Sequence, residues 1–431
     1  MRNPGLSRRD VMKWSGAATL ALGSGLPLFG NGKETGVWTR PPEAATLYSK
    51  EYGRKRIARV QAAMKRAGLD ALVIANRCLD YIGYVSNFHP YPLEPGAVLL
   101  LADGPSFVYV NTYSSAHTWA LQPIVWVDEL IDVPHDPVSE GSTLNLLNAV
   151  ILELQKRNLQ RGKIGLAGDE IDWILPFFFH DRLPNAHLED ANRTLTEVIV
   201  VKDDVEIGLI RFAQRYIDEI AYPTFRETMR AGEIDQTVYA RVLGNMLERG
   251  ASPATVLLFD AGPAGAGTWA SGTRGRRLER SDVILSEPTP AMAGYQAEKM
   301  FTFALSRDIP ESQKRGSQVM FEAYQLLMQE LKPGRSLTPI VEKVDAFIRK
   351  GGYPGATVPV GHWIGTQNHE GPRFTREGTK DWVLQPRMVM SWHPNVVIHG
   401  EVRTTCSTRV LITDTGVEDL SALKMEPIYY L

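Results

Sequence analysis

Cysteine is nearly absent from this chain: Cys78 and Cys406 are the two in 431 residues. So sparse a supply excludes a disulfide framework and a cysteine-rich zinc site. Their wide separation in sequence favours two independent buried thiols over one long-range bridge. An excess of charge of either sign is missing too. The 47 Lys and Arg against 49 Asp and Glu leave a formal net charge of -2, with no basic stripe for nucleic acid and no acidic tail. No internal repeat or low-complexity tract occurs. The apolar run from Trp14 to Phe29 is too short and too glycine-rich to make a membrane span. What is present is the composition of an ordinary globular protein, 44% apolar and 22% charged, with length enough for two or three domains.

The N-terminus reads as a targeting segment over residues 1–32. Ser7-Arg8-Arg9-Asp10-Val11-Met12-Lys13 carries paired arginines before the mildly apolar run, the pattern that a twin-arginine export machinery reads. Export by this route delivers a folded protein to the periplasm, so a periplasmic location is expected. Lys33 to Ala45 is a linker, and the mature chain begins near residues 30 to 40.

Beyond it, two units alternate differently. In 46–190 apolar residues at helical spacing (Ile57, Val60, Met64) predict a helix from Tyr48 to Ala67. Strand-like runs follow at Asp70–Ala75, Gly96–Ala102, Ser106–Asn111, Ile124–Val127 and Lys163–Leu166, with helices at Thr143–Leu159 and Trp173–Phe179. Short strands and helices in alternation make an α/β domain. In 195–431 helices are predicted at Asp203–Arg230, Asp235–Glu248, Glu311–Leu331 and Pro339–Lys350. Strands are predicted at Ala254–Phe259, Asp282–Ser286, Met300–Leu305, Met388–Ser391, Val396–His399 and Arg409–Thr413. Helix pairs between antiparallel-looking strands suggest an α+β domain whose sheet is covered on one face.

The chemistry concentrates in GHWIGTQNHEGP, Gly361 to Pro372. His362 and His369 stand seven residues apart around a Trp-Ile-Gly turn, Glu370 follows directly, and His393 and His399 come soon after. Nine histidines serve the whole chain, so this is a local concentration of the commonest metal ligand and neutral-pH acid or base. Glycines beside it let backbone approach a ligand. Upstream, Glu287 ends an apolar strand and Glu298 begins the next one, eleven residues later. A Pro/Gly-bearing hairpin between them brings the two carboxylates side by side. Two carboxylates with two imidazoles suit a divalent first-row metal such as Zn, Mn or Fe. Spacing alone equally describes two solvated glutamates near a turn.

These segments together resemble the pita-bread metallopeptidase family, which includes aminopeptidase P, prolidase, methionine aminopeptidase and creatinase. GHWIGTQNHEGP looks like its signature, and Glu287 to Glu298 matches the spacing of its two metal-binding aspartates. Gly294-Tyr295-x-Ala297-Glu298 resembles its Gly-Tyr-x-Ser/Ala-Asp. Met388–Ser391 with Pro394 resembles the strand that carries a metal-binding Glu-Pro, and Val410–Thr413 with Gly416 its last strand and turn. Arg54 to Asp80 looks like the creatinase-type N-terminal domain. The likeness spans about residues 48–420 and implies a creatinase-like α/β domain followed by an α+β pita-bread domain, assembled as a homodimer.

The same comparison exposes departures. Family peptidases bind two metals with Asp, Asp, His, Glu and Glu. Here the aspartates read Glu287 and Glu298, the histidine stays as His362, and the first glutamate is His393. The last falls at Ser407 or Thr405, with Glu401 nearby, and the expected upstream histidine falls at Ala270, beside Trp269. Carboxylates that clamp two cations about 3.5–4 Å apart are thus lost. The resemblance so altered implies one divalent ion held by Glu287, Glu298, His362 and His393. His369 is the candidate general acid, base or oxyanion stabiliser, with His362 also catalytic. His369, Glu370 and Trp269 are the candidates for touching a small-molecule or short-peptide substrate, while His399 is left unassigned. A metal-dependent hydrolase acting on an amide or peptide is expected. The alternatives are a lyase or a metal-independent amidinohydrolase on the same fold, and a catalytically inactive binding protein.

Overall fold

The structure is a computed structural model that describes residues 38–76, 79–88, 96–111, 121–134, 143–168, 174–262, 275–356, 359–366, 369–398 and 400–431. Residues 1–37, where the targeting segment is expected, lie outside the described residues, as do Cys78, Trp269, Ala270 and His399. Among those described, no helix is long and apolar enough to cross a membrane.

The first half builds one mixed sheet. Helices α1 (Pro42–Leu47) and α2 (Lys50–Ala67) lead into β1 (Ala71–Asn76). Ser49 caps α2 by accepting from the Tyr52 amide, and Gly68 ends it at φ 69°, a left-handed turn that glycine enters without strain. After α3 (Leu79–Ser86) come β2 (Gly96–Leu101), β3 (Ser106–Val110) and β4 (Glu129–Asp132), then α4 (Thr143–Lys156), β5 (Lys163–Ala167), α5 (Ile174–Arg182) and β6 (His187–Asp190). The order β4-β3-β2-β1-β5-β6 buries β2 and β3 completely, as their unbroken apolar runs require. One expectation fails here. Ile124–Val127 is not a strand; Val125, Trp126 and Val127 are buried in irregular chain, and pairing resumes at the more polar β4. That edge strand has one neighbour, so its sequence carries little strand signal.

After α6 (Asn192–Ile199), helix α7 (Asp204–Tyr216) opens with a reciprocal capping box between Asp203 and Glu206. A π-helical turn, Ile217–Ala221, joins it to α8 (Tyr222–Thr228), where the long helix expected from Asp203 to Arg230 is interrupted. Pro223 has no amide hydrogen to donate, which a widened turn accommodates. Next come α9 (Asp235–Glu248), β7 (Val256–Gly262), β8 (Val283–Thr289), β9 (Ala291–Met292), β10 (Tyr295–Gln296), β11 (Phe301–Ala304), α10 (Glu311–Glu330) and α11 (Leu337–Lys350). The chain closes with β12 (Gly361–Trp363), β13 (Val389–Trp392), β14 (Asn395–Ile398), β15 (Val402–Thr405), β16 (Thr408–Ile412), β17 (Val417–Asp419) and β18 (Tyr429–Tyr430). Two four-stranded sheets result, β18-β11-β8-β7 and β12-β13-β16-β17. Helices α10 and α11 lay Met320, Leu327, Ile340 and Val344 against Met390, Trp392 and Val410 in one core.

A buried polar network ties the two halves together. Arg56 of α2 donates to the Tyr295 hydroxyl at 2.7 Å and lies 3.3 Å from Glu206. Tyr295 in turn donates to Glu206 at 2.9 Å. The backbone three residues before Glu298 is thereby pinned from the N-terminal half.

Candidate metal centre

Three neighbouring strands align a row of polar side chains on one sheet. His362 in β12 pairs with Ser391 in β13, and Ser391 pairs with Arg409 in β16. Paired residues of adjacent strands point to the same face, so imidazole, hydroxyl and guanidinium stand side by side. Gly361 permits this: a Cβ there would meet the Ser391 carbonyl oxygen at 2.4 Å and Phe374 at 2.7 Å. The three-residue strand was read from sequence as the edge of a turn. What makes it a strand is its pairing with β13, to which GHW offers no local clue.

Glu298 reaches over this row from the segment before β11. Its Oε1 accepts a short hydrogen bond from the Ser391 hydroxyl, and lies 3.3 Å from His362 Nε2 and 3.3 Å from Arg409 Nη1. Arg409 Nη2 also donates to the Glu298 main-chain oxygen at 2.6 Å. Burial alone would raise the Glu298 pKa, but Arg409 and His362 outweigh it and hold the carboxyl well below the usual range. Glu298 Oε2 is buried without a hydrogen-bond partner.

Glu287, at the end of β8, meets Glu298 as the hairpin spacing predicts. Burial and the Glu298 charge beside it push its carboxyl well above the ordinary range. The ligand atoms that cluster within 4.8 Å of one another belong to Glu298, His362 and His393. Glu287 is not among these three.

His393 follows β13, where its amide donates to the Val360 carbonyl at 2.8 Å and its own carbonyl accepts from Asn395 at 2.8 Å. The ring lies 5.0 Å from that of His362, and its buried Nδ1 has no partner. His369 packs at 4.0 Å from His362, ring to ring. The loop beyond β12 folds back, with Glu370 N donating to the Trp363 carbonyl at 3.0 Å and Phe374 N to the Gly361 carbonyl at 2.9 Å. Burial, with help from the other His362 charge, lowers the pKa of both His369 and His393 to about 3. Both rings are therefore neutral lone-pair donors at physiological pH.

The residues fit a divalent ion on a point of proton accounting. His362 Nδ1 lies 3.0 Å from the Trp363 carbonyl, which fixes the proton there because a carbonyl only accepts. Nε2 then presents a lone pair to Glu298 Oε1 at 3.3 Å. The Ser391 hydroxyl and Arg409 already attend Oε1, and a divalent ion beside the two lone pairs would satisfy Nε2 as well. The orphaned Glu298 Oε2 and His393 Nδ1 supply further donors.

Other expected residues fall elsewhere. Glu370 is buried, with its carboxylate 2.5 Å from Lys202 Nζ and 2.7 Å from the Thr366 amide. Those bonds tie it to Lys202 and to the Thr366 end of the His369 loop. Glu401 is exposed and does not reach in. Thr405 gives its hydroxyl to the Pro394 carbonyl at 3.1 Å, while the Ser407 hydroxyl is buried and unpartnered. Cys406 is a buried free thiol. Sequence reasoning missed Ser391 and Arg409. A lone arginine inside the apolar strand Thr408–Ile412 was the signal available. It missed Arg373 as well, whose charge acts on Glu298 and His369 from the partly open side.

Comparisons with known proteins agree with this architecture. The profile of Metallopeptidase family M24 matches residues 209–417, and that of the Creatinase/Prolidase N-terminal domain matches 56–198. A creatinase from a Bacillus species is 24% identical over 401 residues, covering 88% of this chain and 93% of its own. An Xaa-Pro dipeptidase from Pyrococcus horikoshii is 24% identical over 277 residues, 61% of this chain and 76% of that one. Among solved structures, the Xaa-Pro dipeptidase of Bacillus anthracis superposes with a TM-score of 0.71 at 18% identity, over 88% of this chain and all of the other. The prolidase of Pyrococcus horikoshii gives 0.68 at 19%, over 87% and 100%. With both domain profiles matched in order, the chain belongs to metallopeptidase family M24, as a creatinase/prolidase-type protein with a pita-bread C-terminal domain.

Proposed function

We infer that the chain is an exported hydrolase that uses one divalent ion, Zn, Mn or Fe, on a small amide or short peptide substrate. The ion is held by Glu298, His362 and His393, with the Glu287 carboxyl beside Glu298. The observation that carries this reading is the His362 Nε2 facing Glu298 Oε1 at 3.3 Å while Nδ1 is spent on the Trp363 carbonyl. When bound, the ion supplies Lewis-acid polarisation of the scissile carbonyl. The chain's residues do the rest. Ser391 and Arg409 fix the Glu298 carboxylate, the Lys202–Glu370 pair fixes the loop, and neutral His369 stands at the side of His362 to take or return a proton. Arg373 offers a positive charge to an anionic end of the substrate. Arg8 and Arg9 support delivery to the periplasm by the twin-arginine route, and a homodimer is the proposed assembly.

A second reading has its own support. Arg409 already compensates Glu298, and a relative matched along nearly its whole length is named a creatinase, which favours metal-independent cleavage of a guanidino compound. Purified protein assayed with X-Pro dipeptides and with guanidino acids, before and after chelation, separates the two. Chelator-sensitive release of amino acids supports the metal hydrolase. Chelator-insensitive release of urea from a guanidino acid would replace it with the second reading.

A further inference from the structure

We propose that Arg409 is a built-in cation of this centre: its guanidinium closes one side of the Glu287–Glu298 carboxyl pair and limits the site to a single divalent ion. The inference rests on the one-ion reading above and adds the residue that enforces it. A charged side chain in the buried strand Thr408–Ile412 has no energetic reason to be there unless its charge is used. Arg409 is fully buried, and its register opposite Ser391, itself opposite His362, aims it at the same carboxylate that the imidazole faces.

Its contacts are directed at Glu298. Nη1 lies 3.3 Å from Oε1 and Nη2 donates to the main-chain oxygen at 2.6 Å, while Nε and Nη1 have no other hydrogen-bond partner. Asp419, the other acidic residue within its reach, receives bonds from Thr408, Tyr324 and the Ser421 amide. The guanidinium therefore approaches the same Glu298 oxygen that His362 faces, beside the group of Glu298, His362 and His393. A second divalent ion on the Arg409 flank would have to share Glu298 with a fixed positive charge in a site without solvent to screen it. Ser407, two residues earlier and just before the strand, carries a buried hydroxyl without a partner and no carboxylate. By engaging Oε1, the oxygen that His362 Nε2 also faces, Arg409 fixes how the Glu298 carboxylate is presented. It is thus a positioning residue for the metal ligand.

The test counts ions. Chelator-stripped full-length protein, and its Arg409→Lys and Arg409→Met variants, are titrated with Mn²⁺ and read by calorimetry and elemental analysis. Wild type and Arg409→Lys should saturate at one ion per chain, and Arg409→Met should rise to two. Arg409→Gln, which keeps an amide donor for the Glu298 carbonyl, carries the same expectation if the methionine variant does not fold. A folded Met or Gln variant that takes up no more Mn²⁺ than wild type would overturn the role of Arg409, as would a wild type that binds two ions. A wild type that binds none would defeat the one-ion reading separately. In that case an ion gained by Arg409→Met still supports Arg409 as the compensating cation, and none gained overturns it.

Discussion

Replacing Lys202 by methionine isolates the cost of one buried charge beneath the His369 loop. Lys202 and Glu370 are both essentially inaccessible to solvent, with Nζ 2.5 Å from the carboxylate. Once the lysine is gone, Glu370 keeps the Thr366 amide at 2.7 Å and the Thr366 hydroxyl at 3.2 Å, but no cation. Breaking a buried pair by removing one partner costs about 3–5 kcal/mol. The folded unit runs from Thr39 to Leu431, and unfolding entropy is about 2.1 cal/mol/K per residue, roughly 0.8 kcal/mol/K for a chain of this length. The thermal midpoint should therefore fall by about 4–6 °C. Burial already pushes the Glu370 carboxyl upward against the pull of Lys202, so in the variant it escapes its penalty by taking a proton. The sign follows: the folded variant binds a proton that the unfolded chain gives up at ordinary carboxylate pKa, so its deficit against wild type grows as pH rises. Calorimetry at pH 5.5 and pH 8 reads both effects. Lys202→Met with Glu370→Leu removes both charges and should recover most of the loss. A single variant within about 1 °C of wild type at pH 8, or a double variant no better than the single, would refute the argument.

Acid should destabilise the metal-free protein through His369 and His393. Their folded pKa of about 3 lies below the usual histidine value of about 6.5, so the stability they contribute is full above that value and lost as pH falls toward 3. Denaturant melts of chelated protein that stay flat or strengthen between pH 6.5 and 4 would contradict this. Gly361→Ala places a methyl against the Ser391 carbonyl and Phe374, which should cost about 1–3 kcal/mol and weaken metal retention by opening β12 from β13; a denaturation midpoint and a metal content both equal to wild type would count against that close approach. Exchanging Arg8 and Arg9 for lysine should trap the precursor in the cytoplasm; cell fractionation showing undiminished periplasmic protein would show the pair to be incidental.

The sequence reveals this centre unevenly, for physical reasons. Glu298, His362 and His393 were legible because metal-competent residue types stood at recognisable places beside glycine, proline and apolar runs. The meeting of Glu287 with Glu298 was legible because an eleven-residue hairpin spacing is a local constraint. That Glu287 stands apart from the group of Glu298, His362 and His393 was not, since it depends on which way two buried carboxyls turn. Ser391 and Arg409 were invisible as site residues because their placement comes from the register of β12, β13 and β16, the first two of which are separated by 25 residues of sequence. Glu370 misled because the residue next to His369 turns its carboxylate inward to Lys202, 168 positions away. The strands with alternating or continuous apolar residues were readable. The polar edge strand β4 and the three-residue β12 were not, because partners elsewhere in the chain make them strands.

The central claim is one divalent ion on Glu298, His362 and His393. The direct measurement is elemental analysis of the protein matured in the periplasm, set beside that of His393→Ala. The account predicts about one equivalent of Zn, Mn or Fe in the wild type and the loss of most of it in the variant, with the fold retained. A wild type free of metal yet active, or a His393→Ala protein with full metal and full activity, would contradict it.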